Sequence, residues 1–442
     1  MTLHIFTPYL AIALAIALQG ITLIYIPQNS YKRICMLPAI LLLVAIIYIT
    51  ARDASAVAPW NVFIGLEFGS VFALEVIDNV CLSKLSYSSS TDAAEEARHK
   101  KQDNALSPWR ENVYDKVRWS LDIAVNRRRI NRVDQTRNVP HFDSSKPHHI
   151  PSRRSFLLFR ITRFILLYLA LDFIASQPPL EDAQIKLAPG KERILARILA
   201  KDMSVAEFGE AFGVLLGVGI CSYISLLLGW DFFSIVSVGL FRAQIADWRP
   251  LFGDIRQVYT IRTFWRKFWH QLLLRPLEAT TSFIAHSILR LPRRTRSTTH
   301  LTNGDSNGTT DHPAQQKNHN LRLQDKLLFV VTAYAKLNLV FLISGIAHIN
   351  ADRLLGIPLR DTRCVSLFVR QAWGIMFEDA VQWMYRCITG SKGEGPVKVW
   401  HRLVGYVWLV VFALWSMPPW AFSTARMEVA PLVPVTIFRR GV

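Results

Sequence analysis

The sequence contains few cysteines, and they are not paired. Five cysteines are spread over the 442 residues, without a CxxC pair and without a spacing typical of metal ligands. They are Cys35, Cys81, Cys221, Cys364 and Cys387. An odd number of isolated cysteines indicates neither a disulfide framework nor a zinc site.

Histidine clusters and aspartate-rich motifs are also missing. Of the 12 histidines, only His148 and His149 are adjacent, in a loop flanked by prolines. A di-iron membrane desaturase or hydroxylase needs several clustered histidine boxes, so this class is disfavoured. A prenyltransferase needs D-D-x-x-D motifs, which the chain lacks. We also find no repeat of 20 to 50 residues. The sequence therefore implies no metal.

Long apolar runs are abundant. Hydrophobic residues make up 51% of the chain, and the mean hydropathy is +0.22. A spanning helix needs about 20 mostly apolar residues, and eight runs qualify. They are 8–26, 35–50, 59–82, 156–175, 208–228 (extending as far as 241 in one interpretation), 326–349, 365–387 and 403–422. The first run has no Lys or Arg before it, which suits a retained helix better than a cleaved signal peptide. We therefore predict an all-α polytopic membrane protein with about eight transmembrane helices plus interfacial amphipathic helices.

The net charge of +18 is concentrated between the apolar runs. This distribution is typical of cytosolic loops in membrane proteins and disfavours nucleic-acid binding. We predict three parts: N-terminal transmembrane helices (1–82), a basic cytosolic loop (83–155) and a membrane core (156–442). The polar segment 297–320 is predicted to be a disordered loop on the cytosolic side, with its sequon at Asn307 unglycosylated.

Five acidic residues fall within the apolar runs. They are Glu67, Glu75, Asp78, Glu378 and Asp379. Ionisable groups at membrane depth usually face the interior of a helix bundle or a wet cavity. Two other interpretations stay open: the acids lie near helix ends, or the protein is a small-molecule transporter. A transporter usually shows inverted repeats or broken helices, and neither is evident.

The segment FWRKFWHQLLLRP (264–276) combines aromatic and basic residues. Placed on one helix over 261–274, Phe264, Trp265, Phe268 and Trp269 share a face. The opposite stripe holds Arg262, Arg266 and His270, and Pro276 limits or kinks the helix. One interpretation is an anchor that lies in the membrane interface with its aromatic face. The other is that the cationic stripe binds a phosphate-bearing cosubstrate, since Arg pairs well with phosphate.

A second histidine lies in the apolar run 326–349, which ends in NLVFLISGIAHIN. Phe341, Ser344, Gly345, His348 and Asp352 fall on one face at helical spacing. Small residues there let another helix or a substrate approach closely. A histidine in a membrane helix is a functional-site hypothesis, with a structural histidine at the water boundary as the alternative. Ser344 does not lie in a G-x-S-x-G elbow, so a serine nucleophile is disfavoured.

Four segments in this order resemble a known family. They are PLFGDIRQVYTIRTFWRKFWHQ, FLISGIAHINAD, QAWGIMFEDAVQ and HRLVGYVWLVVFALWSMPPW, with a weaker fifth, SPWRENVYDKVRWSLDIAVNRRR. The chain resembles the membrane-bound O-acyltransferases, in particular their fungal wax-synthase-like branch, over roughly the last three-quarters of its length. The predicted core 156–442 is then the acyltransferase core.

The resemblance implies the site residues. His348 matches the family's catalytic histidine, and the FWRKFWH segment matches a second signature in which many relatives carry Asn at the position of His270. Arg266 also stands where many relatives have Gly. The implied reaction is direct transfer from an acyl-CoA to an alcohol, with His348 as base and His270 either positioning the thioester or stabilising the oxyanion. No cysteine is close to a histidine in the sequence, so no acyl-enzyme is expected. Arg262 and Arg266, flanked by Trp265 and Trp269, are the expected contacts for the CoA.

The resemblance also suggests substrates and a location. Similar fungal proteins acetylate hydroxyls of terpenoids and meroterpenoids, and others make wax esters from long-chain alcohols. We expect acetyl-CoA as donor, a terpenoid alcohol as acceptor and residence in the endoplasmic reticulum, with wax ester synthesis as the alternative.

Overall fold

The described part of the chain is built from helices. The computed structural model describes residues 3–87, 108–132, 134–293, 323–390, 397–427 and 431–438. Helix accounts for 71% of the structure, and the described residues contain no strand. The predicted all-α class is confirmed. Segment 297–320 and its sequon at Asn307 lie outside the described residues.

Twelve helices are labelled in chain order. They are α1 (Leu3–Tyr25), α2 (Lys32–Thr50), α3 (Ala58–Leu82), α4 (Pro108–Val125), α5 (Arg153–Ala175), α6 (Val205–Gly239), α7 (Ile261–Thr263, continued by a π turn over Phe264–Phe268), α8 (Leu274–Phe283), α9 (Leu323–Leu354), α10 (Cys364–Thr389), α11 (Val399–Ser416) and α12 (Pro418–Ala425). Two short helices, Ala183–Lys186 and Ile194–Leu199, lie between α5 and α6.

Polar side chains and glycine fix several helix ends. Ser204 accepts a hydrogen bond from the backbone N–H of Glu207, 3.1 Å away, at the start of α6. Ser152 caps α5 in the same way. These hydroxyls satisfy backbone donors that the first turn leaves without an acceptor. Helix α10 ends at Thr389, and Gly390 follows it with a φ of 63°, which favours a residue without a Cβ.

Six helices among the described residues are long and apolar enough to span a membrane. They are Ile5–Tyr25, Lys32–Asp53, Ala58–Leu82, Val205–Gly239, Leu327–Leu354 and Val399–Ser416. The other two predicted spans do form helices, α5 and α10, but their charged residues keep them out of this set, so the count of eight stays a prediction. Helix α6 is a single element to Gly239, in agreement with the longer interpretation of 208–241.

The last predicted span, 403–422, was wrong in its end point. Helix α11 ends at Ser416, and α12 begins at Pro418. Pro418 and Pro419 have no backbone N–H to continue the hydrogen bonds of α11, so the chain starts a new helix there. The hydropathy of the segment does not reveal this break, because the residues on both sides of it are apolar.

Helix α9, which carries His348, contacts several other helices. It packs against α10, against α3, including the π-helical stretch Ile64–Val71 within that helix, and against α8. Helices α2 and α4 both contact α1 on the N-terminal side, and α5 packs along α6, which also contacts α12. The apolar helix faces thus bury each other, while the remaining faces of the spanning helices expose apolar side chains to lipid.

The basic segment 83–155 is not a uniformly solvated loop. It contains α4, which packs on α1, and its three consecutive arginines, Arg127 to Arg129, are at most 6% exposed. Arg127 forms ion pairs with Glu67, at 2.7 Å, and with Glu75. A count of charges does not distinguish a solvated arginine from a paired one, so the sequence missed this contact between the segment and the membrane helix α3.

The acids in the predicted spans have partners. Besides Glu67 and Glu75, Asp78 accepts a hydrogen bond from Ser83 at 2.5 Å and lies 3.3 Å from Nε of Arg275. Glu378 and Asp379 are bonded within the candidate site described below. Since each acid has a structural partner, the observation that favoured a transporter has another explanation.

Candidate active site

His348 is held in one tautomer by its own helix. Its Nδ1 lies 2.7 Å from the carbonyl oxygen of Ser344, one turn earlier in α9. A carbonyl oxygen only accepts hydrogen bonds, so Nδ1 carries the proton and Nε2 has a free lone pair. One face of the imidazole contacts the ring of Phe368 in α10, with centroids 4.5 Å apart. The histidine predicted as the base is therefore ready to take a proton at Nε2.

Small residues bring α10 close to this histidine. A Cβ added to Gly345 would lie 2.8 Å from Cα of Val365, closer than two helices tolerate. Ser344 is buried next to it. The predicted close approach at Ser344 and Gly345 is present, and its consequence is that Phe368 reaches the ring of His348.

A cysteine lies beside His348 in space, although none does in sequence. The Sγ of Cys364, the first residue of α10, is 3.6 Å from the backbone oxygen of His348. Burial, followed by the charge of Asp352, raises the pKa of this thiol. A thiol that stays protonated is a poor nucleophile, and direct transfer without an acyl-enzyme stays a prediction.

The FWRKFWH segment is not one regular helix. Thr260 and Thr263 form a capping box at its start, and a π turn follows over Phe264–Phe268. The N–H of Trp269 bonds the oxygen of Phe264 at 2.8 Å, five residues back, and Trp269 itself is extended. Helical positions at 100° per residue therefore do not apply beyond the turn, and the predicted helix over 261–274 was wrong. Pro276 lies in the first turn of the next helix, α8, where proline is tolerated.

The aromatic residues of this segment are half-buried and contact other rings. Trp265 contacts Phe341 and Phe368, and its Nε1 donates to Oε1 of Gln371 at 3.1 Å. Phe268 and Trp269 both contact Phe252, at 5.7 and 5.2 Å. Their neighbours are the rings of α9, α10 and the preceding loop, and the interpretation as an anchor in the membrane interface stays a prediction for the part of each side chain that is exposed.

Glu378 of α10 fixes the start of α7. Its carboxylate accepts hydrogen bonds from the backbone N–H of Ile261 at 2.6 Å and of Arg262 at 3.2 Å. It also accepts one from Nε1 of Trp408 in α11, at 2.9 Å. A buried carboxylate at a helix N-terminus satisfies donors that would otherwise be unpaired. The acid that the sequence marked as intramembrane thus joins three helices at the site.

The predicted cationic stripe is not assembled on one surface. Arg262 forms an ion pair with Asp379, which also accepts from the hydroxyl of Tyr334 at 3.1 Å. Arg266 is exposed. His270 follows the extended Trp269 and does not line up with the two arginines. Its ring contacts Trp269 and Phe252. The prediction placed the three polar residues on one face of a regular helix. The π turn over Phe264–Phe268 interrupts that helix.

One ring nitrogen of His270, Nδ1, is buried. Its Nδ1 has no hydrogen-bond partner among the described residues. Burial, then the charges of His348 and Arg128, lower the pKa of His270 to about 3. His270 is therefore neutral at physiological pH, and it lies near enough to His348 for a proton gained by one imidazole to disfavour a proton on the other.

A continuous series of ring contacts connects the two histidines. Successive centroid distances are 4.5 Å from His348 to Phe368, 5.8 Å to Trp265, 6.1 Å to Trp269 and 5.5 Å to His270. Such packed rings hold each other in fixed orientations. The structure therefore brings the two predicted histidines into one aromatic-lined region, although 78 positions separate them in the sequence (348 − 270).

Comparison with known proteins identifies the family. Residues 248–303, which include the FWRKFWH segment, match the Membrane bound O-acyl transferase family. Acetyltransferase ataH of Aspergillus terreus is 30% identical over 325 residues, which are 72% of this chain and 94% of that relative. The chain belongs to the membrane bound O-acyl transferase family. The predicted resemblance, including its fungal branch, is confirmed.

Other relatives extend the likeness over nearly the whole chain. Acetyltransferase pyr8 of Aspergillus fumigatus is 26% identical over 97% of this chain and 89% of its own length. Acetyltransferase aurG of Calcarisporium arbuscula is 24% identical over 97% of this chain and 96% of its own length. No solved structure matches this member of the family. The protein is a multi-pass membrane O-acyltransferase that uses an acyl-CoA cosubstrate.

Sequence reasoning missed three contributors to the site. Gln371, which accepts from Trp265, lies on α10 within the QAWGIMFEDAVQ motif, and its position there was the available signal. Glu378, in the same motif, was noted only as an acid at membrane depth. The third is Arg128, whose signal was the NRRR run at the end of the weaker fifth motif.

Proposed function

We propose that this protein is an O-acetyltransferase that transfers the acetyl group of acetyl-CoA to a hydroxyl of a hydrophobic terpenoid or meroterpenoid alcohol. The observation that carries the chemistry is the tautomer of His348, with Nδ1 bonded to Ser344 and Nε2 free. The relatives named acetyltransferases support acetyl as the transferred group. The terpenoid acceptor rests on the resemblance to fungal enzymes of secondary metabolism.

In the proposed reaction, Nε2 of His348 takes the proton of the acceptor hydroxyl as its oxygen attacks the thioester carbonyl carbon. A carbon–oxygen bond forms, and the carbonyl electron pair moves to the oxygen. The carbonyl then re-forms, the carbon–sulfur bond breaks, and the leaving thiolate takes the proton back from Nε2. The products are an ester and free CoA, and His348 returns to its starting state.

His270 has a different role in this proposal. Because it is neutral and its Nδ1 has no partner among the described residues, it is a hydrogen-bonding group for the acyl donor and not a second base. A neutral imidazole has one donor nitrogen and one acceptor nitrogen, so either the thioester or the oxyanion can be its partner. An Asn at this position can make the same kind of contact, which agrees with its use in the family.

The four residues that were predicted to contact the CoA receive separate roles in this proposal. Arg266, which is exposed, is the better candidate for a CoA phosphate, because Arg262 already shares its charge with Asp379. Trp265 and Trp269 are assigned to the ring series that holds the histidines. The basic loops would face the cytosol of the endoplasmic reticulum membrane and receive CoA from there.

Microsomes that contain the protein test the proposal. Equal amounts of membrane are incubated with acetyl-CoA or palmitoyl-CoA and with terpenoid or long-chain alcohols, and the esters are identified by mass spectrometry. The proposal expects acetylated terpenoid alcohols and, with palmitoyl-CoA, much less product. Wax esters as the main product would instead favour the long-chain alternative. Solute flux into proteoliposomes without any acyl-CoA would point to a transporter.

A further inference from the structure

Arg128 is a buried arginine that holds the loop before the FWRKFWH segment. It is 1% exposed. Its Nη1 and Nη2 donate to the carbonyl oxygens of Pro250 and Arg249, at 2.7 and 2.8 Å. Its guanidinium lies over the ring of Trp230, 4.7 Å from the centroid. The side chain is therefore fixed from three sides.

The charge of Arg128 has no counterion. Among the described residues it forms no ion pair, and the charges acting on it come from two further cations, Arg160 and Arg249. Burial, with those cations, lowers its pKa to about 9, so it stays positive near neutral pH. Burying an unpaired charge costs several kcal/mol in real proteins, and such a charge usually marks a ligand or a function.

Arg128 and His270 share a feature that several other described residues also have. Nε of Arg128 and Nδ1 of His270 are both buried and both without a hydrogen-bond partner in the described structure. The charge of Arg128 acts on His270, and both residues are tied to one loop, since Arg128 bonds Pro250 and His270 contacts Phe252. The two unsatisfied atoms therefore belong to one region of the site.

An unpaired N–H alone does not identify a ligand site. Arg33 is also 1% exposed, bonds two backbone carbonyls (Ile26 at 2.9 Å and Leu85 at 2.6 Å), and has an unpaired Nη2. Its contacts lie at the connection between α1 and α2 and at the end of α3. Arg128 differs from Arg33 in its association with His270, and this difference carries the inference.

We propose that Nε–H of Arg128 donates to the carbonyl oxygen of the acyl donor and stabilises the oxyanion formed when the acceptor alcohol attacks. This inference rests on the proposed acyl transfer. The electron pair of the carbonyl moves to the oxygen as the new bond forms and returns when the thiolate leaves, so Arg128 exchanges no proton. A fixed cation in a water-poor site interacts most strongly with a charge that develops during the reaction.

The burial of Arg128 argues for this small partner over a phosphate of CoA. A phosphate group presents three or more hydrated oxygens, whereas Arg128, which is 1% exposed, has one N–H left to pair with a single oxygen. A resident carboxylate would neutralise Arg128 before the reaction, and a neutralised cation adds nothing to the transition state. A single carbonyl oxygen is the partner that fits one free N–H.

Arg128→Met and Arg33→Met are the matched pair that tests the proposal. Both are purified in nanodiscs and assayed with the donor and acceptor that the wild type uses. Both variants should melt at lower temperature. Arg128→Met should lose about 10²- to 10³-fold in kcat with KM for the acyl-CoA within about twofold, the pattern of a lost transition-state contact. Arg33→Met should keep its kcat per folded molecule.

Three results would decide against the role of Arg128. The first is a kcat of Arg128→Met within about threefold of that of Arg33→Met. The second is an increase in KM for the acyl-CoA without a decrease in kcat, which would make Arg128 a binding residue. If the Met variant does not fold, Arg128→Lys and Arg33→Lys replace it. The lysine at 128 keeps the charge but cannot reproduce the planar fork, so kcat should fall about tenfold there and not at 33; equal values would reject the proposal. A wild type without transferase activity would reject the proposed function itself.

Discussion

The imidazole Nδ1 of His348 and the carbonyl oxygen of Ser344 are 2.7 Å apart within one helix. The bond needs no residue from another helix, because a histidine side chain in a helix reaches the carbonyl oxygen one turn earlier. It assigns the proton to Nδ1 and leaves Nε2 as the basic atom. The same helix that buries the histidine in the membrane region therefore also sets its chemical state.

Replacing His348 should abolish acyl transfer without removing the protein. His348→Ala and His348→Gln both lack a nitrogen that can take a proton near neutral pH, so we expect each to lose at least about 10²-fold in kcat. The measurement is ester formation in microsomes, normalised to protein by immunoblot. Activity close to wild type in either variant would show that another group is the base.

His270 should tolerate asparagine and not alanine. Because its pKa is lowered to about 3, it acts as a neutral hydrogen-bonding group, and an amide supplies a similar donor. We expect His270→Asn to keep activity within about tenfold of wild type and His270→Ala to lose about 10²-fold or more. Equal loss in both variants would mean that proton transfer by the imidazole is required.

Buried His270 should also make stability depend on pH. Its pKa is about 3 in the folded protein and about 6.5 when unfolded. As pH falls below 6.5, the unfolded chain takes up a proton that the folded chain does not, so folding is destabilised down to about pH 3. Between pH 7 and pH 5 this amounts to about 2 kcal/mol. Thermal melting of wild type should therefore fall more steeply than that of His270→Asn over this range, and parallel curves would contradict the burial of a neutral imidazole.

Glu378 should be needed for both stability and rate. Glu378→Gln keeps one acceptor oxygen, which can still pair with the N–H groups of Ile261 and Trp408. It turns the other oxygen into an N–H₂ group, so the N–H of Arg262 loses its acceptor. Each buried donor left unpaired costs about 1–3 kcal/mol, and the start of α7 loses its fixed position. We expect a lower melting temperature and a lower kcat. The exposed Glu278 provides the control, and Glu278→Gln should change neither quantity.

The ion pairs of Arg127 should contribute more to stability than a surface pair. Arg127→Met leaves Glu67 and Glu75 buried together without their cation, and removing one partner of a buried pair costs about 3–5 kcal/mol. Lys186 and Glu210 form a pair in which both side chains are about one-third exposed, so Lys186→Met should cost much less stability, because solvent screens such a pair. Melting temperatures of the two variants in the same detergent check the order. A similar decrease in both would show that Arg127 is solvated.

Hydropathy predicted most of the helices but not all of their ends. Six of the eight predicted spans are helices of sufficient length and apolar character, because about 20 apolar residues have few other stable conformations in a bilayer. The end of the last span was missed at Pro418, and the stripe of Arg262, Arg266 and His270 was misplaced because a π turn interrupts the period of 3.6 residues. Hydropathy and periodicity contain no information about such local changes of the hydrogen-bond pattern.

By itself the sequence determined the class of the protein and the two histidines to examine, since apolar run lengths and short ordered motifs are local properties of the chain. Only the tertiary structure decided that Phe368, Trp265 and Trp269 connect His348 to His270, that Glu378 holds α7, and that Arg127 to Arg129 are buried. The reason is physical: these contacts join residues far apart in the chain, and whether a charged or aromatic side chain meets lipid, water or another side chain depends on how the helices pack.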